Sequence, residues 1–347
     1  MKRSTHLRGI AGLSILALAL TACGGDGDSD SDGATEATTG GNAAAEPVTL
    51  SFAHSYATSH PHQTCGAELV KEKVEEAGVG LEIEIFPDST LGGHAERFAS
   101  VVSGDIDIDI QGPSEISQTF EPVGILDAAY AFNDADHLFG FFESDAGAEL
   151  GEQIIEGSGA RILTPWYFGM RHFTSNTPLN TPADFDGLRM RFPDTPQFLQ
   201  NAEALGASPT SVAFEEVYIS LQQGVVDGQE NPIPTIDSLA LPEVQSHLNL
   251  TGHMVGIHMI VVNEEKWQSL NEDQQEVLQS VFEEVRDTNR GCIEDAENEL
   301  VEQWQDEGTM EIVEPDVDSF RAKAEEFFTN ELEGEKLELY QTIRDQA

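Results

Sequence analysis

Apolar and polar positions fall into two successive cycles along the chain. Val48, Leu50 and Phe52 alternate with Thr49, Ser51 and Ala53, the period of a strand with one apolar face. A helix is predicted from about Pro61, where proline suits the first turn, to Gly78, which suits the end. Further strands are predicted over residues 81–86 and 106–111, the second setting Ile106, Ile108 and Ile110 against Asp107 and Asp109. Strands separated by helical segments indicate an α/β sheet. The second cycle starts near Arg161, with strands over residues 162–168 and 188–192. Thr195 and Pro196 open a helix that closes at Gly206, and another runs over 214–223 and stops at Gly224. Residues 247–263 form a long extended stretch that returns the chain to the first domain. From 271 to 306, Val277, Leu278, Val281, Val285, Cys292, Ala296 and Leu300 recur at helical spacing. At about 1.5 Å per residue that helix is roughly 50 Å long, more than one small domain needs, so it suits a splint between two lobes. No repeat of the solenoid kind is present.

The N-terminus has a different pattern. Lys2, Arg3 and Arg8 precede an apolar run over 10–20, the length of a signal-peptide core and too short to span a bilayer. It ends in Leu20-Thr21-Ala22-Cys23-Gly24, which resembles the bacterial lipoprotein box, where the cysteine takes a diacylglyceryl group and becomes the first mature residue. The expectation is a signal peptide over 1–22 and a lipidated flexible linker over 23–46, anchored to the outer membrane face through its acyl chains. An ordinary signal peptide with a chance cysteine is the alternative. Residues 24–46 carry no large apolar side chain and cannot offset their chain entropy by burial.

Composition narrows the function. Among 347 residues, 63 are Asp or Glu and 17 are Lys or Arg, a formal charge of −46. Nucleic-acid binding is excluded as a working reading, because a phosphate backbone requires a basic stripe. With 39% hydrophobic residues the chain can bury a sizeable core, and its length suggests two domains. Catalytic signatures are missing: there is no GxSxG, HExxH, Walker-type loop or GxGxxG, and acids are too abundant for any carboxylate pair to mark a catalytic dyad. No cofactor is expected. His54, His60 and His62 are close in sequence, but their spacing matches no common metal-ligand pattern, which favours solvated or core histidines over a metal site. Cys65 and Cys292 lie on apolar stripes of predicted helices, where buried free thiols and a disulfide both stay open.

The distribution of positive charge says more than its total. Between Phe98 and Glu265 there is no lysine, and the basic residues are Arg161, Arg171, Arg189 and Arg191. A cleft in so acidic a protein needs its own fixed cations to hold an anion. Arginine suits the task, because its planar fork offers two parallel hydrogen bonds to one carboxylate and keeps its charge when desolvated. Each has a plainer role too. Arg161 starts a strand and is expected to face water, Arg189 to pair with a surface acid, and Arg171 and Arg191 could serve as structural ion pairs.

Three stretches then carry a resemblance: GMRHFTSNTPLNTPADFDGLRMRFPD (169–194), LGASPTSVAFEEVYISLQQGVVDGQENP (205–232) and EVQSHLNLTGH (243–253). With LGGHAERFASVVSGDIDI (91–108), they are similar to the DctP-type substrate-binding proteins of tripartite ATP-independent periplasmic (TRAP) transporters. The similarity runs from about Thr49 to the last helix. It implies a two-lobed α/β clamp of the periplasmic-binding-protein kind, with the long helix spanning both lobes. Lobe I is assigned to 47–168 and 257–296, lobe II to 169–256 and 297–347. The implied function is capture of a small organic acid anion and delivery to the membrane permease subunits, driven by a sodium gradient, with no enzyme activity. The resemblance assigns the carboxylate salt bridge to Arg191, its support to Arg171, an amide donor to Asn231 and an aromatic contact to Phe214. By fold analogy His54 and Gln111 face the cleft from the other lobe. Some sialate-binding relatives carry an acid beside the position of Gln111-Gly112, which argues against sialic acid. Hydroxyl partners at His54 and Gln111 instead point to a sugar acid such as a uronate or aldonate. A C4-dicarboxylate or other hydroxy acid is the alternative ligand, and presentation to a membrane sensor the alternative function. Of Trp166, Tyr167 and Phe168, two are expected in the core and one at the pocket.

Overall fold

In the computed structural model residues 47–346 are described; the predicted signal segment, Cys23 and the linker lie outside them. The strands are β1 (Val48–Ala53), β2 (Leu81–Phe86), β3 (Ile108–Gln111), β4 (Ala160–Ser175), β5 (Arg189–Phe192), β6 (Ser208–Ser211), β7 (Gly228–Pro232), β8 (His247–Asn263) and β9 (Glu311–Val313). Between β1 and β4 lie α1 (Glu68–Glu76), α2 (His94–Ser103), α3 (Pro113–Ile116), α4 (Ala135–Phe142) and α5 (Asp145–Ser158). Next come α6 (Pro196–Leu205), α7 (Val217–Gln222), α8 (Ile233–Ser238), α9 (Glu264–Ser269), α10 (Glu272–Glu307), α11 (Val317–Glu331) and α12 (Gly334–Asp345). Among the described residues no helix is long and apolar enough to cross a membrane.

One mixed sheet orders the strands β2-β1-β3-β8-β4-β7-β5-β6, with β9 added beside β8. The outer strands are parallel pairs, β1 with β2 and β3 on one side and β5 with β6 and β7 on the other. The central antiparallel pair, β4 and β8, belongs to both halves of the sheet. At about 3.3 Å per residue these strands are roughly 55 Å long. The 36-residue helix α10 has about the same length at 1.5 Å per residue. Its start packs with the first half of the sheet, where Leu278, Val281, Phe282 and Val285 join Leu50, Phe52 and Trp166 in one core. Its end reaches a second core, where Trp304 meets Val217, Ile233 and Leu248. The chain therefore has the α/β two-lobed architecture, with one helix running along both parts.

The strand β4 continues well past the expected 162–168, because the central pair absorbs irregularities instead of ending at them. Its register with β8 shifts between Tyr167 and Gly169, where Gly169 takes a φ of +119°. A side chain at Gly169 would stand 2.7 Å from Pro232 and 2.8 Å from Glu297, and one at Gly256 would stand 2.7 Å from the Gly169 carbonyl. Glycine at both places lets the two strands and α10 come together. The helix expected over 214–223 divides into a 3-10 turn, Phe214–Glu216, and α7. Near α1, Cys65 is bonded to Cys292 on α10, closing a loop of 227 residues. Arg161 corrects one expectation: it does not simply face water, but donates to both oxygens of Glu264 at 2.7 and 2.9 Å and lies over the Trp267 ring.

Candidate ligand-binding site

A cavity of about 270 Å³ opens where the ends of β3, β5 and β7 meet the middle of β4 and β8. That is near the small end of the range for ligand pockets, roughly 300–1,000 Å³. Its wall is built on β7, whose residues Gly228-Gln229-Glu230-Asn231-Pro232 are all buried although none is a large hydrocarbon. Burying so many polar groups is costly unless each is bonded. Gln229 donates to the Thr174 hydroxyl at 3.1 Å, and Asn231 donates to Gln229 at 2.6 Å. Opposite Asn231 and Glu230, β4 presents His172 and Phe173 in register, with Arg171 one step further.

Arg171 is committed to this wall. Its Nε donates to Glu230 Oε2 at 2.5 Å, and its Nη2 donates to Glu230 Oε1 at 2.7 Å and to Asn231 Oδ1 at 3.1 Å. Burial alone would raise the Glu230 carboxyl, but Arg171 and a hydrogen bond from His253 outweigh it and hold it at about 2. The planar cation also lies over the Phe198 and Phe168 rings, 5.2 and 5.7 Å from their centres.

Arg191 is different. It is 2% exposed and lines the cavity, yet among the described residues it forms no salt bridge. Its one protein hydrogen bond there is from Nε to the Val212 carbonyl at 2.9 Å, which leaves both Nη groups of the fork free. Burial pulls its pKa down to about 10, against the raising influence of Glu230. The neighbouring Thr195 hydroxyl is buried without a partner and lines the same cavity. Arg189, two residues away on β5, points elsewhere and pairs with Asp227 at the surface, as expected.

The remaining expected residues divide. Asn231 and Phe214 line the cavity, Phe214 standing edge-on to His94 with 5.7 Å between ring centres. Phe168 lines it too, while Trp166 and Tyr167 lie in the cores, as two of the three were expected to. His54 and Gln111 do not line it. The His54 ring is fully buried, shares a 2.7 Å hydrogen bond with Gln63 and accepts from the Tyr56 backbone at 3.2 Å. Its pKa falls to about 4 through burial, so it is a neutral core histidine. Gln111 lies beneath the wall, donating to Asp109 and to the His94 carbonyl, and so supports His94, which does reach the cavity. Asp109 is itself bound by Arg97 in a pair with neither side chain exposed.

Several lining residues carried no sequence signal. Tyr56 and His258 share a 2.8 Å hydrogen bond at the cavity, and His258 continues to His62 at 2.8 Å and on to Asn289 of α10 at 2.9 Å. His60 and His62 are thus buried, and among the described residues no cluster of three or more potential ligands is placed to hold a metal ion. The half-buried Glu115, on α3, and the buried Asp127 are acids of the wall. Glu230 was hidden inside GQENP, whose lack of apolar residues disguised a buried strand.

The chain has known relatives. The sequence profile of the DctP family, described as bacterial extracellular solute-binding protein, family 7, matches residues 52–333. The chain is 34% identical over 256 residues to the sialic acid-binding periplasmic protein SiaP of Vibrio cholerae serotype O1, covering 74% of this chain and 79% of that protein. It is 31% identical over 293 residues to the C4-dicarboxylate-binding periplasmic protein DctP of Rhodobacter capsulatus, covering 83% and 86%. A crystal structure of a TRAP periplasmic solute-binding protein from Roseobacter denitrificans with bound L-galactonate superposes with a TM-score of 0.80 at 29% identity, covering 86% of this chain and 99% of that one. The chain belongs to the DctP family of extracytoplasmic solute-binding proteins, the receptors, not enzymes, of TRAP transport systems.

Proposed function

We propose that this receptor captures a small organic acid, first of all a sugar acid such as a uronate or aldonate, by its carboxylate and hands it to a sodium-driven TRAP permease. The observation that carries the reading is the Arg191 fork: a buried guanidinium that lines the cavity, with neither Nη group hydrogen-bonded and no carboxylate of its own among the described residues. A ligand carboxylate is the natural partner for such a group, since two charge-assisted bonds offset the desolvation of both ions. Asn231 and the Thr195 hydroxyl supply further donors, Arg171 holds Asn231 in place, and Phe214 gives an apolar face for the carbon skeleton. The relatives named for sialic acid and for bound L-galactonate support a polyhydroxylated acid; the one named for C4-dicarboxylates keeps that class as the second reading.

Capture is proposed to work by closure of two lobes, 47–168 with 257–296 and 169–256 with 297–347. The three divisions fall at Gly169, Gly256 and Glu297, which meet in space: Glu297 accepts from the Met170 backbone at 2.7 Å, and Gly256 pairs with Gly169. A ligand that bridges the lobes stabilises the closed form differentially. The lipoprotein-like box at Cys23 supports an anchor on the outer membrane face. Thermal-shift screening against a library of organic acids tests the ligand reading, because a ligand that binds the folded form raises Tm. Sugar acids are expected to give the largest rises. No rise with any carboxylate would overturn the proposal.

A further inference from the structure

The charges around the cavity distinguish one class of acid from another. Among the described residues its lining includes two cations, of which Arg171 is neutralised by Glu230, so Arg191 is the one cation there left to a ligand. Against it stand the half-buried Glu115, the buried Asp127 and three more exposed acids at the mouth, Glu96, Asp194 and Glu215. Asp127 is held by Ser114, whose backbone N–H donates to it at 2.9 Å and whose hydroxyl donates at 2.5 Å. Glu115 is not held in this way: among the described residues it forms no salt bridge and receives no side-chain hydrogen bond. Its carboxylate is brought over Gly112, with Oε2 2.6 Å from where a Cβ would be, an approach that any other residue at 112 would block. Burial and the neighbouring Asp127 raise its pKa to about 7.

Glu115 and Arg191 come from different parts of the sheet. Glu115 follows β3 and Arg191 is on β5, four strand intervals apart in the order β3-β8-β4-β7-β5. At about 4.8 Å per interval β3 and β5 are separated by roughly 19 Å, and both side chains line one cavity between them. A ligand whose carboxylate sits in the Arg191 fork therefore directs its other end toward an acid.

Resting on the reading of Arg191 as the carboxylate site, we infer that Glu115 is a specificity-determining residue: it accepts a hydrogen bond from a hydroxyl at the distal end of the ligand and excludes a second carboxylate there. The receptor is then selective for monocarboxylates with a hydrogen-bond donor at the far end. Above its pKa Glu115 is a carboxylate, and two carboxylates in one water-poor site repel; among the described residues no second free cation lines the cavity to relieve them. A hydroxyl in the same place donates to Glu115 at no such cost.

Calorimetry with matched pairs tests this. L-galactonate and galactarate differ only in oxidation of the terminal CH2OH to a carboxylate, as do 4-hydroxybutyrate and succinate. In whichever pair binds, wild-type protein is expected to prefer the hydroxy acid at least about tenfold. Glu115→Gln, which keeps the shape and removes the charge, is expected to narrow that gap mainly by improving the dicarboxylate. Equal or tighter binding of the dicarboxylate to wild-type protein would overturn the inference while leaving the Arg191 site intact. So would a gap unchanged in Glu115→Gln. Failure of both pairs to bind, while Arg191→Lys leaves the response to every other acid unaltered, would overturn the underlying carboxylate site as well.

Discussion

Replacing Arg191 with methionine should separate the two consequences of holding an unpaired cation in the fold. Burial lowers the pKa of Arg191 to about 10. At about 1.4 kcal/mol per tenfold change in proton affinity, keeping the charged form there costs on the order of 3 kcal/mol. Methionine removes that cost but leaves the Val212 carbonyl without its donor, which returns about 1–3 kcal/mol. The ligand-free variant is therefore expected to be as stable as wild type or up to about 2 kcal/mol more stable. For a protein of this size that is a rise in Tm of a few degrees. Ligand binding should respond oppositely. Loss of two charge-assisted hydrogen bonds, each about 1.5–3 kcal/mol, weakens Kd by a factor of about 100 or more. Arg191→Lys keeps a charge but not the fork, and should lose roughly 10- to 100-fold through one missing bond. Differential scanning calorimetry without ligand and titration calorimetry with the best acid from the screen provide the two readouts. A methionine variant that is clearly less stable, or one that still binds, would show that this side chain serves the scaffold and not the ligand.

Other parts of the structure yield further expectations. Gly169→Ala places a methyl group 2.7 Å from Pro232 at a φ of +119°, and should lower stability by about 1–3 kcal/mol in denaturant titration; an unchanged midpoint would refute the tight crossing. Replacing Cys65 and Cys292 by serine opens a 227-residue loop and should cost up to about 5 kcal/mol on the chain-entropy view. Two free thiols in the unfolded, unreduced wild-type protein would show the bond does not form. Acid should weaken the fold below neutrality. Burial holds His54 near 4 and His62, His94 and His172 near 3, and lowers His60, His253 and His258, so the unfolded chain takes up protons below about pH 6.5 that the folded one refuses. Some acids oppose this, since Asp109, Glu115, Asp127 and Glu297 are raised to about 6 or 7 and keep protons in the fold, but the histidines outnumber them. Tm measured in high salt should fall from pH 7 to pH 5, and a rise would contradict the neutral burial of the histidine network.

What could be read from the chain follows from local physics. Alternation at Val48–Ala53 and the long extended run at His247–Asn263 mark strands because side chains on a strand face opposite sides in turn. The apolar spacing from Val277 to Leu300 marks α10 for the corresponding reason in a helix. Arg191, Arg171, Asn231 and Phe214 were identified through resemblance over long stretches, and the fold brings all four to one cavity. Local patterns failed where burial and polarity separate. No strand is predicted over Gly228–Pro232, which has no large apolar residue, yet it is a buried strand whose polar groups are satisfied by β4 and by one another. His54 and Gln111 sit at strand ends that suit a cleft, yet their side chains are spent on Gln63 and Asp109.

The sequence alone thus determined the class of fold, its long helix and which arginines deserved notice, because those depend on periodicity and on charge that is scarce along the chain. Only the tertiary structure decided that Arg171 is already taken by Glu230 while Arg191 is free, and that Glu115 is brought to the same cavity from another part of the sheet. Whether a charged group is spent or available depends on neighbours tens of residues away, and a one-dimensional pattern contains no distances between them.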